Sequence, residues 1–115
     1  MNKIKLVINN ETKKNEREKF FIKQELQSIL NLYAKMVSNG SWKDYSFTSG
    51  IKEVSFDVYQ RASEKPVLRI LKNLKPKYFN EKYLIKDKNG AILKKSENLN
   101  QLISKTSWNK LKLVK

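Results

Sequence analysis

The 115-residue sequence predicts an α+β domain with a long amphipathic N-terminal helix and a short C-terminal helix packed on a mostly antiparallel sheet of hairpins. Three observations support this class: an early helical stripe of apolar residues, two hairpin signals after it, and a second short apolar stripe near the end. The length suits one hydrophobic core. We therefore expect a single domain over residues 21–115, preceded by a basic arm over residues 1–20.

The N-terminal arm is expected to be partly disordered or to form a short strand from Lys3 to Ile8, ahead of the polar run 9–19. Lys5 interrupts the apolar run Ile4–Ile8, which is far shorter than a signal-peptide core or a membrane span. The sequence therefore predicts no targeting segment and no membrane partner.

The first helix is predicted over residues 22–38, where apolar residues recur at the spacing of one buried stripe. Asn39 and Gly40 follow where a left-handed cap is expected, because glycine adopts positive φ without steric cost. The helix should therefore end there. The predicted stripe consists of Leu26, Ile29, Leu30, Tyr33 and Val37.

A first antiparallel hairpin is predicted after this helix. Apolar and polar residues alternate over 54–59, as in a strand with one face on a core, and alternate again from Leu68. The chain turns between the two strands over residues 60–67. Pro76 should end the second strand, since proline offers no backbone donor to a sheet.

A second hairpin is indicated by residues 87–90, Asp-Lys-Asn-Gly, which favour a type I turn with a bulge. That turn would place Ile85 opposite Leu93. A tight turn at Asn89 and Gly90 would instead place Ile85 opposite Lys94, a poorer pair for a buried face. The bulged form is the one predicted.

Two elements close the predicted domain. Ser96 is suited to cap a short second helix that runs to about Thr106. Lys110–Val114 alternates as a closing strand. The short helix has one narrow apolar stripe, formed by Leu99, Leu102 and Ile103.

Positive charge dominates the composition, with a formal net charge of +14. Eight of these net charges fall within residues 60–95, so the excess is uneven. A cationic surface attracts polyanions, although a lysine-rich face can also be merely solvated, or reflect AT-rich coding DNA. The candidate nucleic-acid-binding residues are Arg61, Lys65, Arg69, Lys72, Lys75, Lys77, Tyr78, Lys82, Lys86 and Lys88.

Arginines and aromatic residues refine this candidate surface. In a chain with three arginines, Arg61 and Arg69 flank the first hairpin turn, where a guanidinium fork could fix a phosphate or pair with Glu64 or Asp57. Four aromatic residues lie among the lysines, where they either stack bases of a single strand or form core: Tyr59, Tyr78, Phe79 and Tyr83.

A second candidate site is the segment after the helix cap, with Trp42, Asp44 and Tyr45. These aromatics would either pack a helix end onto the sheet or contact a partner. The leading hypothesis is a low-specificity module for DNA or RNA phosphates. The alternative is a regulatory module that binds an acidic protein, and an exposed strand edge would also allow a homodimer.

Catalysis is not expected, because the sequence has no histidine and no cysteine. These absences remove the commonest general base, thiol nucleophiles and the usual zinc ligands. No phosphate-binding glycine loop or acidic metal loop is present either. We therefore expect no catalytic residue, no metal and no cofactor, and the missing cysteines fit a reducing cytoplasm.

Three segments of the sequence carry a family resemblance. Their residues are Glu25, Leu26, Ile29, Leu30, Leu32, Tyr33, Met36, Val37, Gly40, Trp42, Asp44 and Tyr45 within 21–45, then Arg61, Ala62, Ser63, Glu64, Pro66, Arg69 and Ile70, and the closing run 111–114. These segments resemble a family of small uncharacterised proteins from alphaproteobacteria, a domain of unknown function. The resemblance covers about residues 20–115 and implies one domain in a bacterial cytoplasm, without implying an activity.

Overall fold

The computed structural model describes residues 18–61 and 65–108, in which an antiparallel sheet carries two helices. The α+β class predicted from the sequence is confirmed. The predicted strands Lys3–Ile8 and Lys110–Val114 lie outside the described residues. In chain order the elements are α1 (Lys23–Ser38), β1 (Asp44–Ser49), β2 (Glu53–Tyr59), β3 (Leu68–Asn73), a 3₁₀ turn (Phe79–Glu81), β4 (Tyr83–Asp87), β5 (Ile92–Ser96) and α2 (Leu99–Lys105).

Helix α1 ends at the predicted residue, Ser38, and begins one residue later than predicted, at Lys23. Its N-terminus is fixed by the Ile22 N–H, which donates to Glu25 Oε1 at 2.8 Å, one half of a capping box. Two residues after the last helical residue, Gly40 has a φ of 85°, the left-handed conformation expected there. The N–H groups of Ser41 and Trp42 both donate to the Met36 carbonyl, at 2.9 and 3.3 Å, and so close the last turn.

The buried face of α1 differs in part from the predicted stripe. Ile29, Leu32 and Met36 form it, whereas Leu30 and Val37 are 40% and 39% exposed. Leu30 lies about 100° around the helix from Ile29, which places it at the rim of the contact with the sheet. The spacing predicted the helix correctly, but the centre of its buried face lies closer to Leu32.

The five strands of the described sheet follow one another as a meander, in the order β1-β2-β3-β4-β5. Phe56 pairs with Ile70, which in turn pairs with Ile85, so fully buried side chains line the middle of one face. The predicted hairpin of β2 and β3 is confirmed. Strand β1 was not predicted, because its alternation of Tyr45 and Phe47 is short and directly follows the helix cap.

The second hairpin has the predicted turn but another register. Gly90 has a φ of 87°, and its N–H donates to the Asp87 carbonyl at 3.0 Å, as in a type I turn with a bulge. Ile85 nevertheless pairs with Lys94, whereas Leu93 was predicted. The cause is a further irregularity in β5 that skips Leu93, which packs partly buried against the core.

Helix α2 begins two residues later than predicted. Asn98, not Ser96, is its N-cap, and the Asn98 Oδ1 accepts from the Gln101 N–H at 3.0 Å. Ser96 supports the cap, since its Oγ accepts from the Asn98 N–H at 3.0 Å. Leu99 and Leu102 of α2 join the core. Among the described residues, neither helix combines the length and apolar character that crossing a membrane requires.

Candidate nucleic-acid interface

The strands divide the predicted cations between the two ends of the sheet. We call the end that carries residues 50–52 and 74–82 the loop end; there the Leu74 N–H donates to the Lys52 carbonyl at 2.8 Å. The opposite, turn end carries Arg61, Lys65 and Lys88, about 17 Å away along strands of five residues. The cations therefore do not form one continuous wall. The predicted site residues at the loop end are Lys75, Lys77, Tyr78 and Lys82.

Lys72 is the largest departure from the predicted surface, because it lies in the interior with none of its area exposed. Its Nζ donates to Glu25 Oε1 at 2.8 Å and to the Phe20 carbonyl at 3.0 Å, and it pairs with Glu18 Oε1 at 2.6 Å. Lys72 shares the buried face of β3 with Ile70 because strand side chains alternate. It is therefore a structural cation and not a phosphate contact.

Tyr83 completes this buried network by donating its hydroxyl hydrogen to Glu25 Oε2. Burial, followed by the hydrogen bond to Glu25 and that group's charge, raises the pKa of Tyr83 well above its usual range. Burial opposes ionisation of Glu18, but the hydrogen bond and charge of Lys72 outweigh it and hold the Glu18 pKa below its usual value. Because three acceptors occupy Lys72 Nζ, the network braces the fold and presents no free amine.

Arg69 takes the ion-pair role that the sequence left open. Its Nε lies 3.0 Å from Asp57 Oδ1, on the sheet face away from the main core. Asp57 also accepts from the hydroxyls of Ser55, at 2.7 Å, and Thr48, at 2.6 Å. Arg69 is therefore committed to bracing β2 against β3, and Lys86 lies opposite it on β4. The other arginine of the pair, Arg61, is exposed.

Trp42 packs the end of the helix onto the sheet, which is one of the two roles that the sequence left open for this segment. Trp42 is 4% exposed, and its ring centroid lies 5.8 Å from that of Trp108 and 6.2 Å from that of Tyr33. Asp44 and Tyr45 remain exposed at the start of β1, where the Tyr45 ring lies 4.8 Å from that of Tyr33. A partner could reach these two residues but not Trp42.

The loop between β3 and β4 displays two aromatic rings. Phe79 is 77% exposed and Tyr78 is 56% exposed. Two backbone hydrogen bonds hold this turn, from Glu81 N–H to the Tyr78 carbonyl at 3.0 Å and from Lys82 N–H to the Phe79 carbonyl at 3.3 Å. The Nζ of Lys77 lies 5.6 Å from the centre of the Tyr78 ring, within cation–π range. The loop thus presents rings and cations side by side.

Two clefts lie at the loop end. A cleft of about 450 Å³ contains Phe79 and Lys82, and a second of about 410 Å³ contains Ile51 and Lys19. Both volumes fall in the range of small-ligand sites. Within residues 18–61 and 65–108, no three His, Cys, Asp or Glu side chains group in a way that could hold a metal ion. The two clefts share three lining residues, Glu18, Leu74 and Lys75.

Comparison with known proteins identifies a family but no relative of known role. The family model DUF2794, "protein of unknown function", matches residues 19–103. The resemblance to an uncharacterised domain family is therefore confirmed. No curated protein and no solved structure matches the chain. The match runs from before α1 into α2 and includes every residue that lines the two clefts except Glu18.

Proposed function

The chain belongs to the DUF2794 family, and from the geometry of its own residues we propose that it is a non-enzymatic module that binds nucleic acid at the loop end. Phosphates would contact lysines of the loop, and exposed rings would contact bases. The observation that carries the proposal is Phe79, 77% exposed beside Tyr78 in a lysine-rich loop. Sequence specificity would be low, because stacking and phosphate contacts tolerate every base.

Charge at the loop end supports this proposal. Lys75, Lys77 and Lys82 lie within eight residues of sequence, on or beside the exposed turn. The nearby carboxylates are partly compensated, since Glu18 pairs with Lys72 and Glu81 lies 3.6 Å from Lys95. A local excess of positive charge remains, which is what a phosphate backbone requires.

The exposed rings support a nucleic acid over an acidic protein surface. Phe79 is outside the main core cluster and follows the exposed Tyr78, so two neighbouring rings are accessible to a ligand. Base–aromatic stacking is worth about 1–3 kcal/mol per base. Lysines alone would bind any polyanion, whereas aromatic rings among lysines favour a polyanion that carries planar groups, such as the bases of a nucleic acid.

Salt dependence is the expected signature of such binding. With about three lysines on phosphates, the logarithm of the association constant should fall with the logarithm of salt at a slope of about −2. Affinity for a labelled oligonucleotide should then drop about tenfold or more as salt rises fourfold. Fluorescence anisotropy over a salt series measures this slope. Binding that stays constant over the series would contradict phosphate contacts.

A matched pair of triple variants locates the contacts. Lys75→Gln, Lys77→Gln and Lys82→Gln combined should nearly abolish binding and flatten the salt slope. The control removes the same charge from exposed lysines elsewhere, through Lys35→Gln, Lys43→Gln and Lys105→Gln. An equal loss of affinity in both variants would show that binding depends on the overall positive charge of the protein and not on the loop end. A nuclease-resistant complex with an acidic protein, without oligonucleotide binding, would replace this proposal with the protein-binding alternative.

A further inference from the structure

The two clefts at the loop end form neighbouring compartments of one surface. They share the side chains of Glu18, Leu74 and Lys75, so each opens beside the other. The compartment of about 450 Å³ adds Phe79, and that of about 410 Å³ adds Ile51. Both of these apolar side chains are largely exposed, at 77% and 85%.

Each compartment combines an apolar surface with a cation. Phe79 is accompanied by Lys82 in the larger compartment, and Ile51 by Lys19 in the smaller one. Lys75 lines both and therefore lies where two adjoining ligand units would meet. Such an alternation of apolar surface, shared cation and apolar surface matches a strand of nucleotides, in which bases alternate with phosphates.

We propose that, if the loop end binds nucleic acid as inferred above, its ligand is a single strand lying across both compartments. One base contacts Phe79, another contacts Ile51, and a phosphate between them contacts Lys75. This inference deepens the proposed function by naming the strandedness of the ligand and its path.

A duplex fits this surface poorly. Its bases are stacked on one another and cannot reach an exposed ring, whereas unpaired bases can be splayed onto one. Duplex readers usually insert a helix or a two-stranded ribbon into a groove. The loop end, by contrast, presents the three-residue 3₁₀ turn Phe79–Glu81, which is too short to enter a groove in that way.

Glu18 is the one carboxylate that lines both compartments. It lies 2.6 Å from Lys72 Nζ, and Lys72 holds the pKa of Glu18 below its usual value, so its negative charge has a close counter-charge. Because Lys72 also pairs with Glu25, it offsets the negative charge of Glu18 only in part, and the lysines that line the compartments supply the remaining positive charge. We therefore expect the strand to follow Lys19, Lys75 and Lys82.

The test compares a labelled thymidine single strand with its duplex of the same length, by anisotropy at one salt concentration. We expect the full chain to prefer the single strand at least about tenfold. Phe79→Ala should weaken single-strand binding about five- to a hundredfold, the equivalent of one stacked base. Ile51→Ala should weaken it several-fold, and Ile92→Ala, which truncates a 51% exposed side chain at the turn end, should not.

The outcomes separate this inference from the proposed function. Salt-dependent binding of duplex as tight as that of single strand would overturn the inference and leave the proposed function standing. The same holds if Ile51→Ala behaves like Ile92→Ala. Absence of any oligonucleotide binding would overturn both. Preference for the single strand, with losses at both Phe79 and Ile51, supports the two-compartment path.

Discussion

Lys72→Met should destabilise the protein by about 3–5 kcal/mol. The substitution keeps most of the side-chain volume but removes the cation that Glu25 and Glu18 share. Glu25 is 8% exposed, so its carboxylate would be left in the interior without a counter-charge. Such an uncompensated charge costs far more than the ion pair itself contributes. Urea unfolding followed by circular dichroism measures the loss.

Two further variants identify the cause of that loss. Lys72→Met combined with Glu25→Gln should regain much of the lost stability, because the buried charge disappears with its partner. Lys86→Met, on the partly exposed face of β4, should change stability by no more than about 0.5 kcal/mol. A single Lys72 variant as stable as wild type would show that the buried network is not what holds α1 to β3.

Trp42→Ala should cost a similar amount, about 3–5 kcal/mol. The ring is 4% exposed and lies among Tyr33, Phe56 and Trp108, so its removal leaves a cavity between the helix end and the sheet. Thermal or urea unfolding gives the magnitude. The milder Trp42→Phe should stay folded and bind oligonucleotide as wild type does, because Trp42 does not reach the surface.

Tyr78→Ala is the reciprocal control. Its ring is 56% exposed, so truncation should leave stability within about 0.5 kcal/mol while weakening oligonucleotide binding. A Trp42→Phe protein that folds but loses binding would contradict this separation. Stability and binding would then share one surface, and the partner-binding interpretation of the tryptophan segment would regain support.

Most of the fold followed from local patterns in the sequence. The i, i+3, i+4 spacing before Gly40 defined α1, and the alternation from Val54 to Tyr59 defined β2, because both periods reflect one-sided burial. The Asp-Lys-Asn-Gly turn was correct for the same local reason. Strand β1 was not predicted, because six residues with two apolar positions give too short an alternation.

The features that sequence could not predict depend on distant contacts. In the sequence, Lys72 resembles any surface lysine. Its burial becomes evident only when two facts are combined: Lys72 shares a strand face with Ile70, and Glu25 lies on the buried face of α1. The two residues are 47 apart in sequence. The register of β5 depends on Leu93 packing against the core rather than on the turn. The division of the cations between the loop end and the turn end likewise could not be predicted without the order of the strands in the sheet.

The candidate site was predicted only in part. Lys75, Lys77, Tyr78 and Lys82 belong to the loop end, as a basic stretch with aromatics suggested. Ile51 was not singled out, because a single isoleucine in a short turn gives no periodic pattern that would show whether its side chain is exposed or packed in the core. Lys19 was assigned to the arm. They lie near Lys75 because the β1–β2 turn, the C-terminal end of β3 and the segment before α1 lie at the same end of the sheet.

Photo-crosslinking of a thymidine single strand to the full chain, followed by mass spectrometry of the attached peptides, locates the binding surface. We expect attachment within residues 74–82, at Tyr78 or Phe79, and its loss when excess unlabelled single strand is added. Attachment confined to Arg61 or Lys88 at the turn end, or spread along α1, would contradict a binding surface at the loop end.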